Sequence, residues 1–275
     1  MVERVKESER NNYKQNFTWS GMSKRGQTTI FVIVAIVIVA GIALIYLFYP
    51  RLETIFFGIE DPSDFLRNCV KEDVLDKVEM LSEQGGYSKP EGFIEFEGRP
   101  IKYLCYNAQY YLPCVVQQPL IKSKFEKELT SMIRDKADSC IRELKESYEQ
   151  RGYRVSEGAK SGVEVNIVPR QIVVDFMTPL QITKDTTQKF DGFDVSLSSE
   201  LYSLLMVAIS ILDYEATYGD SETTLYMRYY PNLRVEKLKL GDGSKIFTIT
   251  DVTTQERFRF ATRSLAWPGG YGFET

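Results

Sequence analysis

Apolar positions along the chain fall into three regimes. From Ile30 to Tyr49 they are continuous, reading IFVIVAIVIVAGIALIYLFY. About 20 such residues at 1.5 Å rise span about 30 Å, the hydrocarbon thickness of a bilayer, so the run predicts one membrane-crossing helix. It closes on Tyr46, Leu47, Phe48 and Tyr49, which suit a membrane interface better than the small-residue cleavage site of a secretory signal. From Asp61 to Gln150 the spacing is helical twice. Asp61 supplies an N-cap and Pro62 a first-turn proline, and Phe65, Leu66, Cys69, Val70, Val74, Val78 and Leu81 then share a face before Gly85-Gly86 ends the helix. After Pro119, Ile121, Phe125, Leu129, Ile133, Ala137, Cys140, Ile141, Leu144 and Tyr148 mark a longer helix to about Gln150, stopped by Gly152. Between the two helices, Ile94, Phe96, Ile101, Tyr103, Cys105 and the stretch 110–116 predict short strands around a loop at Asn107-Ala108-Gln109.

Beyond Gly152 alternation takes over. Strands are expected at 163–167, 172–176, 180–182, 225–229, 233–240, 246–249 and 258–261, with Gly241-Asp242-Gly243 as a hairpin turn. One helix interrupts them, Ser199 to about Thr217. Its apolar core, LYSLLMVAISIL, is too short to cross a membrane and predicts a buried helix. The expected fold class is therefore α+β: a single N-terminal transmembrane helix, a disulfide-linked helical and hairpin region, and a β-rich domain with one buried helix. The corresponding segments are a cytoplasmic leader 1–26, a transmembrane helix 27–50, a two-helix and hairpin region 51–152, and a β-rich extracytoplasmic domain 153–275.

Charge gives this layout a direction. Residues 1–25 carry net +3, the rest of the chain carries −7, and Lys24-Arg25 abut the apolar run. The positive-inside rule then keeps the N-terminus cytoplasmic and sends the C-terminal domain outside a cell membrane crossed once, with membrane lipid as the first partner. The chain as a whole has formal charge −4 and pI about 5.3, which lacks the basic footprint of a nucleic-acid binder. All four cysteines, Cys69, Cys105, Cys114 and Cys140, follow the apolar run, and an even number in an exported segment predicts two disulfides with three possible connectivities. Cys69 and Cys140 sit on the apolar faces of two helices that must pack together, and Cys105 and Cys114 bracket a hairpin, so the expected pairs are 69–140 and 105–114. The gaps of 35, 8 and 25 residues do not suit four-thiolate zinc knuckles.

The junction Lys24-Arg25-Gly26-Gln27-Thr28-Thr29 followed by the apolar run resembles the class III signal peptide of archaeal type IV pilin-like proteins. The resemblance implies cleavage between Gly26 and Gln27 by a prepilin peptidase, and an apolar helix that assembles with like subunits. More loosely, Cys69 on a helix ending Gln84-Gly85-Gly86-Tyr87, aromatic strands with prolines and a long helix carrying Cys140 resemble uncharacterised archaeal membrane-anchored surface proteins.

Chemistry is sparse. Histidine is absent, which excludes Ser-His-Asp and Cys-His nucleophile activation and imidazole zinc sites. Ser244-Lys245 would be a dyad only if adjacent strand residues could meet, and these point to opposite faces. Asp61 with Asp64 and Asp191 with Asp194 match no calcium loop, and Gly241–Lys245 lacks the spacing of a phosphate loop. No catalytic residue, cofactor or metal ligand is assigned, and no enzyme activity is expected. The 17 tyrosines, 16 phenylalanines and 2 tryptophans offer contact surface instead, with Tyr110, Tyr111, Trp267 and Tyr271 as candidate residues for an unidentified surface partner. The reading that follows is a membrane-anchored archaeal cell-surface protein with a structural or interaction role, pilin-like in its leader. The alternative is a ligand- or glycan-binding ectodomain on a simple membrane anchor.

Overall fold

The structure, a computed structural model, describes residues 31–43, 61–109 and 111–265. Two compact units are present, 1–59 and 60–275. In the first, residues 31–43 form a helix, α1, whose apolar side chains are exposed. The expectation of a membrane-spanning helix over 27–50 is corrected here, because among the described residues no helix is long and apolar enough to cross a membrane. The described turns of α1 amount to about 20 Å, short of the roughly 30 Å of a hydrocarbon core. The remainder of 27–50 and the leader 1–26 lie outside the described residues.

The second unit is α+β. It opens with α2 (Pro62–Glu83), started as its sequence predicts by the Asp61 side chain accepting from Ser63 N with proline in the first turn. Strands β1 (Phe93–Phe96), β2 (Arg99–Tyr106) and β3 (Val115–Val116) follow, then the long helix α3 (Ile121–Gln150). Six strands come next: β4 (Arg154–Glu157), β5 (Val163–Val168), β6 (Gln171–Phe176), β7 (Leu180–Thr183), β8 (Thr187–Phe190) and β9 (Phe193–Ser198). Helices α4 (Leu201–Thr217) and α5 (Thr223–Tyr229) precede the closing strands β10 (Leu233–Lys239), β11 (Ser244–Asp251) and β12 (Arg257–Arg263). The segment 225–229, expected as a strand, is helical because Glu222 caps it, its side chain accepting from Thr224 N.

The strands form three sheets. The largest runs β1-β2-β12-β11-β10, with β3 also on β2, and its β2–β12 pairing is parallel while the others are antiparallel. This pairing joins the first part of the unit to its last strand, so the change in character at Gly152 falls inside one compact unit. The other sheets are β5-β6-β9 and β4-β7-β8. Helix α3 packs its apolar stripe, Phe125 to Tyr148, against α2 and β5. It also blunts the edge of the β5 sheet, where Thr130 Oγ1 accepts from Val165 N at 3.1 Å and Glu126 Oε1 accepts from Ile167 N at 2.8 Å. At the end of α2, Gly85 has φ +69° and a Cβ there would lie 2.9 Å from Lys102 Cβ, so both backbone and space require glycine. Nearby, buried Glu83 pairs with Arg99, Arg257 and Arg259, tying the C-terminal end of α2 to β2 and β12.

Both expected disulfides are present. Cys69–Cys140 clamps α2 to α3, and Cys105–Cys114 closes the loop between β2 and β3. By chain entropy a bridge across 71 residues stabilises by about 4 kcal/mol, and one across 9 residues by about 2.5 kcal/mol. Cys69→Ala/Cys140→Ala should therefore lower the urea-unfolding free energy of the oxidised protein more than Cys105→Ala/Cys114→Ala does. Equal losses would contradict the assignment of the first bridge as the principal constraint.

Candidate functional site

Strand β11 is buried along most of its length, and its alternation sends Ser244 and Lys245 to opposite faces. Ser244 Oγ bonds to Asp242 Oδ2 at 2.9 Å and to Tyr103 Oη at 2.8 Å. Lys245 enters the core beneath α4, where it and Glu215 are both fully buried. Its Nζ donates to Glu215 Oε2 at 2.7 Å, to Gly219 O at 3.1 Å and to Leu265 O at 2.8 Å, which satisfies all three ammonium protons. Glu215 Oε1 accepts from Ser221 N at 2.7 Å, and Thr262 Oγ1 donates to Oε2 at 3.2 Å. Burial holds the Glu215 carboxyl above its ordinary value despite the Lys245 charge.

Asp220 extends the network. It lies 3.4 Å from Lys245 Nζ, accepts from Lys237 Nζ at 2.8 Å and also accepts from Lys239. Burial works against its ionisation, but the lysine hydrogen bonds and charges outweigh that and hold its carboxyl below the ordinary range. Its contribution to stability is thus present at neutral pH and lost as pH falls through its folded value.

This core fixes a surface. Ser264 Oγ donates to Glu215 O at 3.1 Å and accepts from Cys114 N at 3.2 Å, while Asn107 N donates to Arg263 O at 2.9 Å. The end of β12 therefore runs between the C-terminal end of α4 and the loop closed by Cys105–Cys114. That loop exposes Tyr111 and Leu112, and Tyr106 beside it lies under the Arg263 guanidinium. Across the other flank, α4 and α5 enclose a groove of about 440 Å³. Ser210 and Tyr214 line it from α4, and Glu222, Leu225, Tyr226, Tyr229 and Tyr230 line it from the following turn and α5. The Ser210 and Tyr226 hydroxyls are 3.2 Å apart, Tyr214 and Tyr218 have ring centroids 5.0 Å apart, and Tyr229 is 78% exposed. No residue of α5 is buried, although the helix is mostly aromatic and apolar.

Of the residues singled out from sequence, Tyr111 is exposed on the disulfide-closed loop. Tyr110, Trp267, Tyr271, Gly26 and Gln27 lie outside the described residues. The groove tyrosines were not assigned from sequence. A signal existed in the helical spacing of Tyr214 with Tyr218 and of Tyr226 with Tyr229 and Tyr230. Asp61 caps α2, Asp64 pairs with Arg67, and Asp194 faces Asp175 across β6 and β9. Comparison with known proteins finds no matching family model, no matching curated protein and no matching solved structure.

Because both charges are out of water, breaking the pair leaves one uncompensated. Lys245→Met should cost about 3–5 kcal/mol in chemical denaturation, whereas Lys245→Met combined with Glu215→Leu should recover most of that loss. Additive losses in the double variant would show that the two side chains do not act as a pair.

Proposed function

We propose that the protein is an interaction protein of an archaeal cell envelope, with its second compact unit in an extracytoplasmic compartment and its aromatic surface as the partner contact. The observation that carries the reading is that all four cysteines are engaged in two disulfides, a state favoured by oxidising compartments. The contact surface is supported by the clustering of exposed tyrosines around one groove, since Tyr supplies large, rigid area with a polar tip and is enriched at binding hot spots. Resemblance of residues 24–29 to a class III signal peptide supports processing at Gly26-Gln27 by a prepilin peptidase. The exposed apolar face of α1 supports association with like subunits.

Compartment and contact surface are tested separately. Protease added to intact cells should remove a C-terminal epitope, and maleimide should label no cysteine until reductant is added; a protected epitope with reactive thiols would overturn it. Tyr229→Ala/Tyr230→Ala, which alters only exposed rings of the groove, should retain the native melting profile while its binding to isolated envelopes falls about tenfold, equivalent to about 1.4 kcal/mol. Unchanged binding would remove the groove from the contact surface.

N-terminal sequencing of the mature protein should begin at Gln27, and Gly26→Val should retain residues 1–26. A wild-type protein that begins at Met1 or Val2 would end the pilin-like part of the proposal.

A further inference from the structure

Among the residues that line the groove between α4 and α5, Glu222 alone carries a charge. The hydrogen bond from Thr224 N, joined by that from the Thr224 hydroxyl, outweighs partial burial and holds its carboxyl below the ordinary value. It is therefore ionised at neutral pH. Both bonds go to Oε1, at 3.0 Å and 2.9 Å, and among the described residues no ion pair is made to Glu222. Lys237, whose charge reaches it, is spent elsewhere: Nζ donates to Asp220 Oδ1 at 2.8 Å and to Ser221 O at 2.6 Å. Helix α4 contains no lysine or arginine, and the one basic residue of α5, Arg228, does not line the groove.

We propose that the groove takes an arginine or lysine side chain from a basic segment of a partner protein. The inference rests on the groove being the contact site proposed above and names the chemistry of what binds there. Charge selects the sign of the occupant. An anionic segment would set like charge against Glu222, and a wholly apolar one would cover the carboxylate without a counter-charge, whereas a cation supplies it. The tyrosines press the same choice, because an aromatic face attracts a cation through its quadrupole. Tyr229 and Tyr230, 78% and 50% exposed, leave their rings open to such contact. A guanidinium or ammonium group carries donors only and needs acceptors around it. The Ser210 and Tyr226 hydroxyls, 3.2 Å apart, provide one: whichever donates to the other, oxygen lone pairs remain to accept. Exposed Leu225 offers apolar surface for the aliphatic stem of the same side chain.

The probe is an end-blocked peptide of alternating glycine and arginine, titrated calorimetrically into the oxidised full chain at low salt, with the glycine-glutamate peptide as its opposite. The arginine peptide should bind, more weakly as salt is raised, and the glutamate peptide should not. Glu222→Gln keeps an acceptor for Thr224 N and removes the charge, so it should leave the melting temperature unchanged and weaken the arginine peptide about threefold. Glu146→Gln, the same change of charge on an exposed residue of α3, should leave the affinity unchanged. Absence of arginine-peptide binding would overturn the proposal, as would an equal effect of the two glutamate variants, which would reduce it to the general acidity of the chain. On isolated envelopes, the arginine peptide should compete with the protein, and prior shaving of the envelopes with trypsin should abolish binding. Binding that survives shaving and ignores the peptide would overturn the proposal in favour of a non-protein occupant. The two readings separate cleanly. If Tyr229→Ala/Tyr230→Ala loses envelope binding while the arginine peptide neither binds nor competes, the cationic occupant is refuted and the contact surface stands. If that variant keeps envelope binding, the contact surface is refuted whatever the peptide does, and the proposal built on it falls with it.

Discussion

The Lys245–Glu215 pair is the constraint on which the C-terminal half of the fold turns. A charge at this depth tolerates few arrangements, because each of its hydrogen-bonding sites must find a partner at the correct distance. The partners come from α4, the turn after it, the backbone at Gly219 and the end of β12. Their relative positions are thereby set together. Hydrophobic packing would accept small slips of α4 along the sheet, whereas this polar network would be left unsatisfied by them. Its principal effect is to select one register, since a buried ion pair recovers little net stability over an apolar replacement.

Position follows from that selection. The turn at 218–222 is anchored through Glu215, Asp220 and the three lysines of β10 and β11, and α5 begins from it. An otherwise weakly packed, seven-residue helix thus acquires a defined start, and its tyrosines a defined direction. On the other flank the same strand end holds the disulfide-closed loop through Ser264 and Arg263. The groove and the disulfide-closed loop are thus both held from a single buried polar centre.

Much of the frame was legible in the sequence because it depends on short-range periodicity. The stripe from Ile121 to Tyr148 and the cap at Asp61-Pro62 fixed α3 and the start of α2, and placing Cys69 and Cys140 on those faces identified their bridge. Strand β9 was legible too, since Phe193, Val195 and Leu197 alternate with Asp194, Ser196 and Ser198, yet it was missed. Residues 225–229 read as a strand because their tyrosines and leucine have high strand propensity, and the cap at Glu222 instead makes them part of the helix Thr223–Tyr229. The apolar run near the N-terminus suggested a spanning helix by its length in sequence, while the described helical residues are fewer than a bilayer needs. The buried pair was illegible: nothing local distinguishes Lys245 or Glu215 from a surface residue, and only the tertiary packing of α4 on β11 brings residues 30 apart together.

The Cys69–Cys140 bridge also determines how the protein bears load. Tension applied from the N-terminal side of Cys69 and the C-terminal side of Cys140 passes through a covalent S–S link rather than through the packing of α2 on α3. The 71-residue separation between the cysteines, about 240 Å of contour if drawn straight, cannot pay out while the bridge is oxidised. Under stretching, residues 69–140 would be a short, stiff connector, and reduction would turn the same stretch of chain into a long, compliant one.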